Sequence, residues 1–134
     1  MPQAPFNRIL HVDDQVDIRG IVKLALGKIG GFNVLSCNSG EEALAAAPGF
    51  DPQLLLIDMN MPGMDGMTLL TRFREAGMSV PAIFFTARIN PSDLERYRAA
   101  GAIGTLSKPF DPLKLGRQLT QIWVDHYSPT KSAS

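Results

Sequence analysis

A chain of 134 residues has the length of one domain, and its 45% hydrophobic content is that of a globular sequence rather than a disordered or membrane-spanning one. Thirteen Lys and Arg balance thirteen Asp and Glu, which excludes a wholesale basic footprint for nucleic acid or anionic lipid. The single Cys37 excludes an internal disulfide and a multi-cysteine zinc cluster, and the opening MPQAPFNR lacks the basic and apolar segments of a signal peptide.

In chain order, RILHV (8–12) predicts a first strand. QVDIRGIVKLALGKIG (15–30) predicts a helix, with Ile18, Ile21, Val22, Ala25 and Ile29 on one face and Gly30-Gly31 at its end. NVLSC (33–37) is a second strand, and Cys37 reads as a small apolar residue at its end. In SGEE (39–42), Ser39 is placed to bond the Glu42 amide and open a short Ala-rich helix, which Pro48-Gly49 is expected to stop.

The third strand, 53–58, carries the run Leu54, Leu55, Leu56, Ile57, the mark of a strand buried on both faces, and ends on Asp58. A Pro- and Gly-punctuated loop follows, then a helix in GMTLLTRFREAG with Leu69, Leu70 and Phe73 facing inward. PAIFFTA (81–87) is the fourth strand, PSDLERYRAAGA (91–102) a helix with Pro91 near its start, and IGTLS (103–107) the fifth strand. Asp111-Pro112 is expected to cap a last helix carrying Leu115, Leu119, Ile122 and Trp123. One domain is expected over 7–124, with loose termini at 1–6 and 127–134.

Five βα units with short connections predict an α/β fold: a doubly wound, five-stranded parallel sheet of order 2-1-3-4-5, flavodoxin-like, with helices on both faces. Such sheets bind ligands beyond the carboxyl ends of their strands, at the switch point between strands 1 and 3. Polar chemistry collects at those ends. Strand 1 runs into Asp13-Asp14, strand 3 ends in Asp58, strand 4 in Thr86, and strand 5 runs into Lys108-Pro109. Three carboxylates brought together disfavour one another's ionisation, and Mg²⁺, which favours carboxylate oxygens, resolves the conflict. With one Lys and one hydroxyl nearby, the set suggests phosphoryl chemistry with Asp58 as nucleophile.

These residues, with DMNMPGMDG around Asp58, FFTA and KPF, resemble the response-regulator receiver domains of two-component signalling, from about residue 7 to residue 124. The resemblance implies that Asp58 accepts a phosphoryl group from a phosphohistidine donor, on a sensor histidine kinase or a histidine phosphotransfer protein. It implies that Asp14, Asp58 and the Asn60 carbonyl bind Mg²⁺, with Asp13 acting mainly through a water. Thr86, Lys108 and the Ala87 and Asn60 amides would contact the phosphoryl group, and a cis Lys108-Pro109 bond is expected. The family tunes phosphate lifetime at the positions of Asn60 and Arg88. Its usual aromatic three residues before the Lys is Thr105 here, which has no ring to bury.

The implied protein is a cytoplasmic, single-domain signalling phosphoacceptor rather than an enzyme. Its output would pass to a downstream effector protein or along a phosphorelay, with no nucleic-acid or membrane partner. The competing enzyme class is a Mg²⁺-dependent aspartyl-phosphate phosphatase, but such enzymes place their nucleophile after the first strand. A flavin- or nucleotide-binding reading fails because Asp13-Asp14 stands where a phosphate cradle would be.

Plainer roles stand beside these. Asp13 or Asp14 could cap the first helix, and Asp58 could form a turn. His11 reads as a hydrogen-bonded core or edge histidine rather than a ligand. Met59, Met61, Met64 and Met67 read as gap-fillers around the loop. Arg96, Tyr97 and Arg98 read as a solvated face, with a partner-facing patch as the alternative.

Overall fold

Each of the apolar runs becomes a strand of a single parallel sheet in the computed structural model, which describes residues 5–87 and 89–127. The strands are β1 (Arg8–Val12), β2 (Asn33–Cys37), β3 (Leu54–Asp58), β4 (Ala82–Thr86) and β5 (Ala102–Ser107), in the order β2-β1-β3-β4-β5. The predicted topology therefore holds. Between and after them run α1 (Val16–Val22), α2 (Gly40–Phe50), α3 (Gly66–Glu75), α4 (Pro91–Ala99) and α5 (Leu115–His126).

Because side chains alternate across a strand, the sheet sorts its residues into two cores. Leu10, Val12, Leu55, Ile57 and Phe84 meet Ala43, Leu69, Phe73 and Tyr97 of α2, α3 and α4 on one face. Ile9, Leu54, Leu56, Ile83 and Phe85 meet Val22, Leu26, Leu115 and Leu119 on the other. All five β3 residues are buried, as a strand covered on both faces requires. Each fully buried Leu, Ile or Phe contributes roughly 1.5–3 kcal/mol relative to exposure, so this sheet is a stiff platform for whatever its ends carry.

Several local expectations are corrected. The first helix leaves α-geometry after Val22 and continues as a π-helical segment, Lys23–Ile29, closed by the Gly30 amide on the Ala25 carbonyl at 3.0 Å. The wider turn re-phases the apolar stripe. Val22, Ala25 and Leu26 are buried, whereas Ile21 and Ile29 are 40% and 50% exposed. Pro48 does not stop α2. It sits in the last turn, where its missing N–H costs one bond, and Asp51 at φ 57 ends the helix by donating to the Ala47 carbonyl. The Ser39 cap is as expected, with its Oγ accepting from the Glu42 amide at 3.1 Å.

Asp111 does not cap the last helix. Its carboxylate accepts from the Leu113 amide at 2.9 Å and shapes a turn that precedes α5. Tyr97 is no surface residue either: it packs edge-on against Phe84, with ring centroids 5.0 Å apart, while Arg96 pairs with Asp93 outside. Met59, Met61 and Met64 are buried and Met67 packs against them, as gap-fillers.

Phe6, assigned to a loose terminus, stacks on Trp123 with centroids 4.6 Å apart, and Gln53 holds the adjoining Asn7 and Arg8 amides at 2.8 Å. Residues 1–4, 128–134 and Arg88 lie outside the described residues. Among the described residues, no helix is long and apolar enough to cross a membrane.

Candidate functional site

Parallel registry places the strand ends side by side: Val12 opposite Ile57, Asp58 opposite Phe85, and Thr86 opposite Ser107. Whatever follows those residues is forced to one edge. Asp13 continues β1 by donating its amide to the Cys37 carbonyl at 3.1 Å, and Lys108 continues β5 by donating to the Thr86 carbonyl at 2.9 Å. The Lys108-Pro109 bond is cis.

Asp13, Asp14 and Asp58 each bring a carboxylate oxygen within 4.8 Å of the others. Asp13 and Asp58 are buried and Asp14 is exposed. Lys108 Nζ bridges the buried pair, 2.9 Å from Asp13 Oδ2 and 3.3 Å from Asp58 Oδ1. Thr86 is buried at the end of β4, next to exposed Ala87. The Asn60 amide donates to Asp58 Oδ1 at 3.2 Å. Neither acid of the Asp13-Asp14 pair caps α1, whose N-cap is Gln15; Asp13 Oδ1 instead accepts the Gln15 amide at 2.9 Å.

Two residues outside the expected set hold this arrangement. Arg19 Nη1 donates to the Asp13 carbonyl at 2.8 Å, reaching back a turn and a half in a way no local pattern announces. Gly66 starts α3 where a Cβ would stand 3.0 Å from the Asp58 carbonyl oxygen and 3.0 Å from Met59 Cα. A glycine opening an amphipathic helix was the available signal. Gly66→Ala is expected to cost about 1–3 kcal/mol in urea denaturation by pushing the Asp58 loop off α3.

Burial raises the Asp58 carboxyl above its ordinary 3.8, and the Asp13 charge raises it further, against the pull of Lys108 and the Asn60 amide. Burial works to lower Lys108, but the hydrogen bond and charge of Asp13, with Asp58, outweigh it and leave the ammonium raised. The protein is thus less stable when Asp58 is ionised. That penalty is absent below the ordinary value of 3.8 and grows as the pH climbs through the raised folded value. Asp58→Asn is therefore expected to raise Tm at pH 7, with the difference from wild type vanishing near pH 3.

The donor set fits a hard divalent ion. All three acids offer oxygen, two of them have little water to replace a counter-cation, and one ammonium is not enough charge for three carboxylates. Two other residues singled out earlier lie nearby without such a role. Cys37, buried beyond Val12, has its thiol pushed up to about 11 by burial and by Glu42, so it is inert. Thr105 pairs with Phe84 and, with Leu94, Tyr97 and Arg98, lines a cavity of about 150 Å³; the aromatic ring there comes from α4 rather than β5.

Comparison with known proteins agrees with this edge of the sheet. Residues 9–120 match the profile of the response regulator receiver domain. The nitrate/nitrite response regulator NarL of Escherichia coli is 32% identical over 114 residues, covering 84% of this chain and 53% of NarL. A 14.6 kDa protein from the sodA1 3' region of Leptolyngbya boryana is 37% identical, covering 84% of this chain and 87% of its own. The chemotaxis response regulator CheY4 of Vibrio cholerae superposes with a TM-score of 0.81 at 31% identity, covering 87% of this chain and 98% of its own. The chain spans about half the length of curated relatives such as NarL. Sheet order, the acids gathered at the switch point and the match over nearly the whole chain converge: this chain belongs to the response regulator receiver domain family.

Proposed function

We propose that the unit spanning residues 7–124 is a cytoplasmic phosphoacceptor, taking one phosphoryl group onto Asp58 in a Mg²⁺-dependent reaction. The donor is a phosphohistidine, on a sensor histidine kinase or a histidine phosphotransfer protein. The observation that carries this reading is the Lys108 ammonium shared between buried Asp13 and Asp58 beside exposed Asp14.

In the transfer, an Asp58 oxygen attacks phosphorus and an O–P bond forms as the N–P bond breaks. The electron pair stays on the departing imidazole, which takes a proton from water. Asp13, Asp14 and Asp58, with the Asn60 carbonyl, would hold the metal, which when bound neutralises phosphoryl oxygens. Lys108 and the Thr86 hydroxyl stabilise further charge on those oxygens, and the Ala87 and Asn60 amides complete the shell. A burial-raised Asp58 favours cation binding, because a divalent ion beside it relieves the unfavourable charge of its carboxylate.

The added phosphate supplies charge and acceptor oxygens that re-bias the neighbouring loops, and the output passes to a downstream effector protein or along a relay. Incubation with acetyl phosphate and Mg²⁺, followed by intact mass measurement, should show a single added phosphoryl group, lost when EDTA is present. Steady turnover of a phosphomonoester without labelling would instead support a phosphatase.

A further inference from the structure

We propose that His11 is a positioning residue for phosphoryl capture, its Nε2–H taking over the Asp13 oxygen that Lys108 relinquishes when Lys108 turns to the phosphoryl group. This rests on the phosphoacceptor reading above. His11 is the penultimate residue of β1, fully buried, with Nε2 4.0 Å from Asp13 Oδ2 and its ring edge-on to Phe85. Neither ring nitrogen has a hydrogen-bond partner among the described residues. A neutral imidazole carries one donor and one acceptor, and buried polar atoms left unpaired are rare. The other interior positions of this strand, Ile9, Leu10 and Val12, are aliphatic, so nothing in the packing asks for a histidine.

The geometry gives a reason. Asp13 Oδ2 is the very atom that holds Lys108 Nζ at 2.9 Å, and that ammonium also touches Asp58. Drawn toward phosphoryl oxygens on Asp58, the ammonium moves off Asp13 Oδ2 and spreads its three donors over more acceptors. The carboxylate is then free to settle toward His11, and closing the present gap by about 1 Å makes a hydrogen bond. A bond made only in the Lys-shifted state favours that state, because a group biases an equilibrium only through differential interaction.

The test uses the full chain with Mg²⁺ and beryllofluoride as the phosphoryl mimic, comparing wild type, His11→Leu and His11→Gln. His11→Leu is expected to melt no lower than wild type without ligand, yet to bind beryllofluoride about 10-fold or more weakly. His11→Gln, which keeps a donor, recovers part of the affinity. In wild type, imidazole ¹⁵N spectra should show the Nε2–H tautomer, with its proton moving downfield on beryllofluoride binding. Equal affinity of wild type and His11→Leu overturns the proposal. So does a His11→Leu variant that loses melting temperature along with affinity and is not rescued by Gln, which would assign the ring to packing. A wild type that binds no beryllofluoride would fail differently, removing the phosphoacceptor reading first and this proposal with it.

Discussion

Asp58→Asn should leave acetyl phosphate labelling at the background of the assay while leaving the fold intact. The side chain keeps its shape and can still accept the Asn60 amide, which Asp58 Oδ1 accepts at 3.2 Å. It loses the anionic oxygen that the proposed transfer requires. Asp13 is fully buried and already accepts Lys108 and the Gln15 amide, so it does not substitute. Removal of a buried carboxylate that sits unfavourably ionised also makes the variant the more heat-stable protein at neutral pH. Lost chemistry with gained stability separates a functional acid from a structural one. A variant that merely misfolded would lose both, and parallel mass spectrometry and thermal melts read the two together.

Lys108→Ala has the second-largest expected effect, and its signs are opposed. Deleting one pre-organised donor from a charge-developing site typically slows the reaction about 10²–10³-fold. Stability should fall too, because Asp13 is wholly buried and Lys108 is its close cation at 2.9 Å. A dry pair broken on one side costs roughly 3–5 kcal/mol, but the Lys108 side chain is 16% exposed, so solvent screening brings the expectation down to about 1–3 kcal/mol. Mg²⁺ binding should move the other way. With the ammonium gone, the three acids carry more uncompensated charge, and calorimetry should find magnesium bound more tightly than in wild type, at a slower labelling rate. Weaker magnesium binding in Lys108→Ala would mean that Lys108 organises the acids instead of competing for them.

Strands were the most legible part of the sequence. β1 and β2 match their apolar runs residue for residue, β3 and β5 differ by a residue at one end and β4 by a residue at each end, because a strand buried on both faces admits only apolar side chains until it reaches an edge. The positions of Asp13, Asp14, Asp58, Thr86 and Lys108 were legible for the same reason: each is the first polar residue after such a run or close behind it, and parallel registry does the rest.

What periodicity could not convey was how a helix departs from ideal geometry. The π-helical segment after Val22 leaves the same residue types in place but turns Ile29 outward. Pro48 and Asp111 carry true local preferences, yet one missing bond in a last turn and one extra turn before α5 were settled by tertiary packing. Tyr97 was misplaced because Arg96 and Arg98 beside it suggested solvent, whereas the ring alone turns in to meet Phe84. His11 was legible as an oddity within a strand but not as a ring whose nitrogens find no hydrogen-bond partner among the described residues, since hydrogen bonding depends on neighbours far away in sequence.

Reductive trapping tests the central claim most directly. Acyl phosphates are cleaved by borohydride to the alcohol, so the labelled carboxylate becomes a homoserine that peptide mass spectrometry can place. The expected result is a single homoserine at position 58, formed only with Mg²⁺ present. Homoserine at Asp13 or Asp14, or phosphate retained on His11, Thr86 or His126, would contradict it.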